Sequence, residues 1–179
     1  MAKAPRDSQP RDDVDEILAA WRRERPDIDV APMEILSRVW RLARRLDRVR
    51  KQAFADQDLE TWEFDVLSAL RRAGTPYELS PGHLVAATLV TSGTMTNRVD
   101  RLADRGFVTR HPAPGDRRGI LVRLTPTGRS SVDRALDALL AAESDLIASL
   151  APLEQAALTD ALKTLTRSFE DLPSSPPAH

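Results

Sequence analysis

The 179-residue chain has no cysteine, few aromatic residues and no long apolar run. Without thiols there can be no disulfide, no thiolate nucleophile and no thiol-based redox sensor. Aromatic residues at 4% leave a core of Leu, Val and Ala to be drawn from an apolar fraction of 41%. No stretch approaches the roughly 20 apolar residues that span a bilayer. The start lacks the basic and apolar regions of an export signal, so the expected address is cytoplasmic. His83, His111 and His179 stand apart without ligand-like spacing, and no metal site is expected. No nucleophile–base pair, phosphate loop or paired catalytic carboxylates falls at a recognisable spacing, so an enzyme is not expected either.

One charge is also scarce where it matters. The whole chain balances 26 basic against 27 acidic residues. Residues 80–129, however, hold eight arginines against Asp100, Asp104 and Asp116, whereas residues 130–179 hold three basic and eight acidic residues. A basic module followed by an acidic stretch fits phosphate contacts on one surface only.

That basic module, Leu79 to Thr125, reads as a winged helix-turn-helix. Ser80-Pro81 starts a helix with a capping hydroxyl and a proline at the first position. Leu84, Val85, Thr88 and Leu89 then form an apolar stripe. Thr91-Ser92-Gly93 restarts the chain as a second helix, with Met95, Val99 and Leu102 facing a core. Its other face carries Thr94, Thr96, Asn97 and Arg101, groups able to read base edges in a major groove. Gly106 ends the helix in a left-handed conformation. Phe107–Arg110 and Ile120–Leu124 read as strands around a long basic tip, Pro112 to Arg118. The alternative is an ordinary α+β fragment with an arginine-rich face.

Around the module the pattern is helical. Residues 1–11 are polar and expected to be disordered. An extra N-terminal helix is expected at 12–25, with Val14, Ile17, Leu18 and Trp21 on one stripe. Trp21 either fills a groove as a structural arm or walls a ligand pocket. A long helix follows at about 32–54, basic on its outer face, which is read as solvated. Thr61 is expected to cap the next helix and Gly74 to close it. Asp65 stands in its apolar run and needs a paired arginine or indole N–H. Thr125-Pro126 and Pro152 begin two terminal helices over about 126–172. Their leucines, with those of the 32–54 helix, predict a twofold homodimer. The last residues, 173–179, are expected to be disordered. The fold class is therefore mainly α with a small β-hairpin wing: a winged helix-turn-helix, about 59–125, plus a helical dimerisation region.

On these residues the chain resembles the MarR family of winged-helix transcriptional regulators across residues 32–172. The wing motif is Asp116-x-Arg118, followed by Leu124-Thr125-x-x-Gly128. The resemblance implies that Arg118 enters a minor groove, braced by Asp116 and beside Arg117, while Ser92, Thr94, Thr96, Asn97 and Arg101 meet bases or phosphates of a pseudo-palindromic DNA operator. A narrower resemblance, to the family's urate-responsive, PecS-like subgroup, rests on the extra helix with Trp21 and on Asp65, Arg98 and Arg110 in matching contexts. It implies a small anionic effector, urate foremost, bound by those four residues, with no cofactor. Another purine or a polycarboxylate such as trans-aconitate suits the same arginines. A structural Asp65–arginine pair without any ligand stays open beside it.

Overall fold

A computed structural model describes residues 11–170, leaving out the side chains of Asp116, Arg117, Arg118 and Glu170. The two stretches expected to be disordered lie outside the described residues, apart from Arg11. The element order is α1 (Asp13–Glu24), α2 (Ala31–Ala55), α3 (Thr61–Arg72), β1 (Glu78–Leu79), α4 (Pro81–Thr88), α5 (Ser92–Asp104), β2 (Val108–Ala113), β3 (Asp116–Leu124), α6 (Pro126–Ile147) and α7 (Pro152–Glu170). The chain divides into two compact units, residues 1–52 and 53–179. No helix among the described residues is long and apolar enough to cross a membrane.

In the first unit, Asp12 caps α1 by accepting the Val14 and Asp15 N–H groups, and Asp15 returns the favour to the Asp12 N–H. Val14, Leu18 and Val30 are buried, with Met33 against them. The acidic first turn is more than a response to the helix dipole. Arg38 reaches Asp12 at 2.8 Å and Asp15 at 2.7 Å, Arg41 reaches Asp13 at 2.7 Å, and Arg22 reaches Glu34 at 2.6 Å. The arginine face of α2, read from the sequence as solvated, thus supplies partners to α1.

The second unit holds the main core. Phe54 stacks on Phe64 with ring centroids 4.1 Å apart, and Leu67, Leu70, Leu84, Met95, Val99, Leu102, Val122 and Val132 close around them. The local stop and start signals hold: Ser80, Thr91 and Thr125 are side-chain N-caps, with Pro81 and Pro126 in the first turn. Gly106 is left-handed. At Ser80 the usual capping acid is replaced by His83, whose Nδ1 lies 2.8 Å from the serine hydroxyl. Gly128 has a steric reason: a Cβ there would run into the Phe107 carbonyl.

Four expectations need correction. Thr61 is the first residue of α3 rather than its cap, and Glu60 occupies the cap position. The acid buried in α3 is Glu63, 1% exposed, while Asp65 is only half-buried. Helical spacing puts 63 in line with the core residues 66, 67 and 70, and 65 at the edge of that face. The wing is a three-stranded antiparallel sheet in the order β1-β3-β2, and its turn is Pro114-Gly115, so Asp116–Arg118 open a strand rather than form a long tip. Pro112 fits within β2 because β2 is an edge strand, where a missing N–H need not break a ladder. Lastly, Leu89 leaves the apolar stripe: it takes a left-handed conformation (φ 54°, ψ 40°) and is 92% exposed.

In α6, Val132, Ala135 and Leu139 are buried, whereas Leu136, Leu140, Leu146 and Ile147, and Leu158, Leu162 and Phe169 of α7, stay exposed in the single chain.

Candidate nucleic-acid interface and ligand site

α5 begins at the Thr91 cap, whose hydroxyl accepts the Thr94 N–H at 3.3 Å and lies 2.9 Å from the Thr94 hydroxyl. Ser92, Gly93, Thr94, Thr96 and Asn97 are exposed, while Met95, Val99 and Leu102 anchor the opposite face. The polar groups differ in how much is left for DNA. Thr96 donates its hydroxyl to the Ser92 carbonyl at 3.1 Å, which leaves its oxygen as an acceptor. The Asn97 amide makes no side-chain hydrogen bond among the described residues, so its donor and acceptor are both available for a bidentate contact with adenine.

Further along the helix, Arg98, Arg101 and Arg105 fall at i, i+3 and i+7 and meet the N-terminal end of α3. Arg101 bonds Glu60 at 2.8 Å, and its guanidinium lies 4.7 Å from the centre of the Trp62 ring. Trp62 donates its indole N–H to the same Glu60 carboxylate at 2.6 Å. That indole, with the Arg101 guanidinium behind it, holds the Glu60 carboxyl below its ordinary range. Arg105 pairs with buried Glu63 and with Asp58, at 2.6 Å each. Glu63 also accepts the Glu60 N–H at 2.9 Å, so the buried carboxylate is paired and hydrogen-bonded. Arg101, assigned from sequence to the groove-reading set, is thus engaged by α3 in the unbound chain.

Arg98 is half-buried, its guanidinium 5.5 Å from the centre of the Trp62 ring, and among the described residues it forms no ion pair. Arg110 bonds Asp100 at 2.5 Å and the Thr96 carbonyl at 3.4 Å, tying β2 to α5. Asp65 stands half-buried on α3, one turn beyond Trp62. Trp21 belongs to the first unit, on α1, and is 44% exposed. The side chains of Asp116, Arg117 and Arg118 lie outside what the structure describes. At the root of the wing, Glu78 bonds Arg123 at 2.7 Å, while His111 Nε2 stands 2.9 Å from the same carboxylate without hydrogen-bond alignment.

Trp62, Glu60, Glu63 and Arg105 were not singled out from sequence. The only signal was an arginine at every third or fourth position of α5. A cavity of about 610 Å³ opens at the start of α6, lined by Tyr77, Arg129, Asp133, Arg134 and Asp137 among others. None of Trp21, Asp65, Arg98 or Arg110 lines it, and its Asp133 is already bonded to Arg71 at 2.8 Å.

The chain is 36% identical to the transcriptional regulator PecS of Dickeya dadantii over 143 residues, 80% of this chain and 86% of PecS. A sequence profile of the MarR family matches residues 57–119, from the approach to α3 through most of the wing. The chain belongs to that family. An E. coli MarR variant in complex with operator DNA superposes with a TM-score of 0.62 at 28% identity, covering 76% of this chain and 94% of that one. BpsR of Bordetella bronchiseptica, whose DNA binding is regulated by 6-hydroxynicotinic acid, gives a TM-score of 0.61 at 28% identity, covering 78% of this chain and 94% of BpsR. The chain is a MarR-type DNA-binding transcriptional regulator, and its family consists of regulators rather than enzymes.

Proposed function

We propose that this regulator acts as a homodimeric repressor that leaves its operator when a small planar anion, urate foremost, is captured beside α5. The observation that carries the reading is Arg98: a half-buried guanidinium on the groove-reading helix, laid against an indole and without an ion pair among the described residues. A guanidinium held near an indole without an ion pair keeps its N–H groups for bidentate bonding to anionic oxygens. In this reading Asp65 accepts ring N–H hydrogens of the ligand, and Arg110 feels the added charge through Asp100 and Thr96. Drawing Arg98 toward a ligand displaces α5, and a dimer can then no longer seat both recognition helices in successive major grooves. The dimer itself would bury the leucines left bare on α6 and α7. Asn97 and Thr96 read bases, and Arg118, with Asp116 and Arg117 beside it, serves the minor groove. The regulation of BpsR by a flat nitrogen heterocycle supports a heteroaromatic anion, and the same chemistry admits another purine or trans-aconitate.

The test uses a duplex selected by the full chain from a randomised pool. Urate is expected to release the wild-type protein, while Arg98→Ala and Asp65→Asn should keep DNA binding and lose the release. Trp21→Phe reports separately on the N-terminal indole. Release of the Arg98 and Asp65 variants at wild-type urate concentrations would refute the site. If trans-aconitate or 6-hydroxynicotinate releases the protein and urate does not, the site stands with a different ligand.

A further inference from the structure

We infer that Leu89 is a DNA-contacting residue, an apolar finger on the turn of the helix-turn-helix. An exposed leucine alone says little, because much of any protein surface is apolar. Leu89 is unusual on three counts. It is 92% exposed, and no other large apolar residue between 79 and 106 is among the exposed ones. It sits in the left-handed region, at φ 54° and ψ 40°, where a leucine Cβ crowds the following carbonyl and glycine would be unstrained. It also stands two residues before Thr91, the cap of the helix whose N-terminal residues approach base edges in this motif.

The left-handed backbone opposes folding and the bare isobutyl group gains nothing to offset it, so the side chain contributes nothing visible to the free chain. The turn needs only the left-handed conformation, which glycine or asparagine supplies at less cost. What leucine adds is apolar reach at the edge of the DNA-facing surface. Its neighbours there, Thr91, Ser92 and Thr94, are small and polar and leave the isobutyl group standing clear. The matching surface on a duplex is apolar too: a thymine methyl in the major groove or the face of a deoxyribose.

This inference rests on the DNA-binding reading, and its test separates the two. Duplexes selected by the wild-type full chain from a randomised pool are bound by fluorescence anisotropy across a salt series. Leu89→Gly and Leu89→Asn should weaken binding about tenfold, as expected for exposing one leucine-sized apolar contact. The salt slope should not change, because no charge is removed. Their melting temperatures should hold or rise, since the left-handed strain is relieved. Leu89→Met should bind within about twofold of wild type. Replacing thymine by deoxyuridine tells the two surfaces apart: a loss confined to the wild type and the Met variant marks a thymine methyl, and no loss marks the sugar. Gly and Asn variants that bind like wild type, or that melt well below it, would overturn the proposal. Failure of the wild type to select any duplex would remove the DNA reading beneath it.

Discussion

The two units use the same pair of residue types, arginine and carboxylate, to different ends. In the first unit the pairs sit on the surface: Arg38 with Asp12 and Asp15, Arg41 with Asp13, Arg22 with Glu34, over a buried cluster of Val14, Leu18 and Val30. In the second, a broad apolar core carries the fold, and among the described residues one carboxylate, Glu63, is sunk to its edge beneath Arg105. Surface pairs gain little because water and salt screen them. A buried acid is costly unless its partner stays in place. The first kind of pairing makes an arm that conditions can loosen, whereas the second fixes the position of a recognition helix.

Three substitutions sharpen that contrast. Leu70→Ala, in the centre of the second core, should cost about 4 kcal/mol in urea unfolding. Glu63→Ala takes from Arg105 the buried one of its two counter-charges and leaves the Glu60 N–H without its acceptor, and should cost about 3 kcal/mol. A loss below 1 kcal/mol in the second case would mean that Asp58 alone satisfies Arg105. The smallest effect belongs to the arm: Arg38→Ala should shift the melting temperature by less than about 3 °C. It should nevertheless raise amide exchange in α1. The pH dependence has a definite sign. The Arg38 guanidinium holds the Asp12 carboxyl at about 2, below the ordinary 3.8. A depressed acid stabilises the folded state above its unfolded value and stops doing so as pH falls through its folded value. Protection of α1 should therefore be complete above about pH 4 and fade toward pH 2, and the fading should be smaller in the Arg38 variant, where only the cap bonds to Val14 and Asp15 still favour the charged carboxyl. Unchanged exchange in α1 would show that Val14 and Leu18 alone hold the helix.

Signals that act over three or four residues were legible in the chain. Ser80-Pro81, Thr91 and Thr125-Pro126 begin helices because caps are local chemistry, and Gly106 ends one for the same reason. What escaped needed distant partners. Helical spacing alone lines Glu63 up with the core residues of α3, but its partner Arg105 lies 42 positions away and no local signal announces it. The pull of Glu60 and Trp62 on Arg101 spans some 40 positions of chain. The wing was drawn too short because Pro112 and Pro114 read as loop, and its edge position tolerates the first. Leu89 was placed on an apolar stripe because helical periodicity extends one residue past the point where the backbone turns left-handed. At the candidate site, the family resemblance could nominate Arg98 and Arg110 but not their surroundings, the Trp62 ring for one and Asp100 with the Thr96 carbonyl for the other.

The link from Arg110 to Asp100 and to the backbone of Thr96 has a consequence for operator geometry. Hairpin and helix are stapled together near their midpoints, and under the function proposed above they would act within one half-site as the two jaws of a caliper. Such a caliper would tolerate changes of base identity beneath either jaw more readily than a one-base-pair insertion between the two proposed footprints, which would pull one jaw off the duplex.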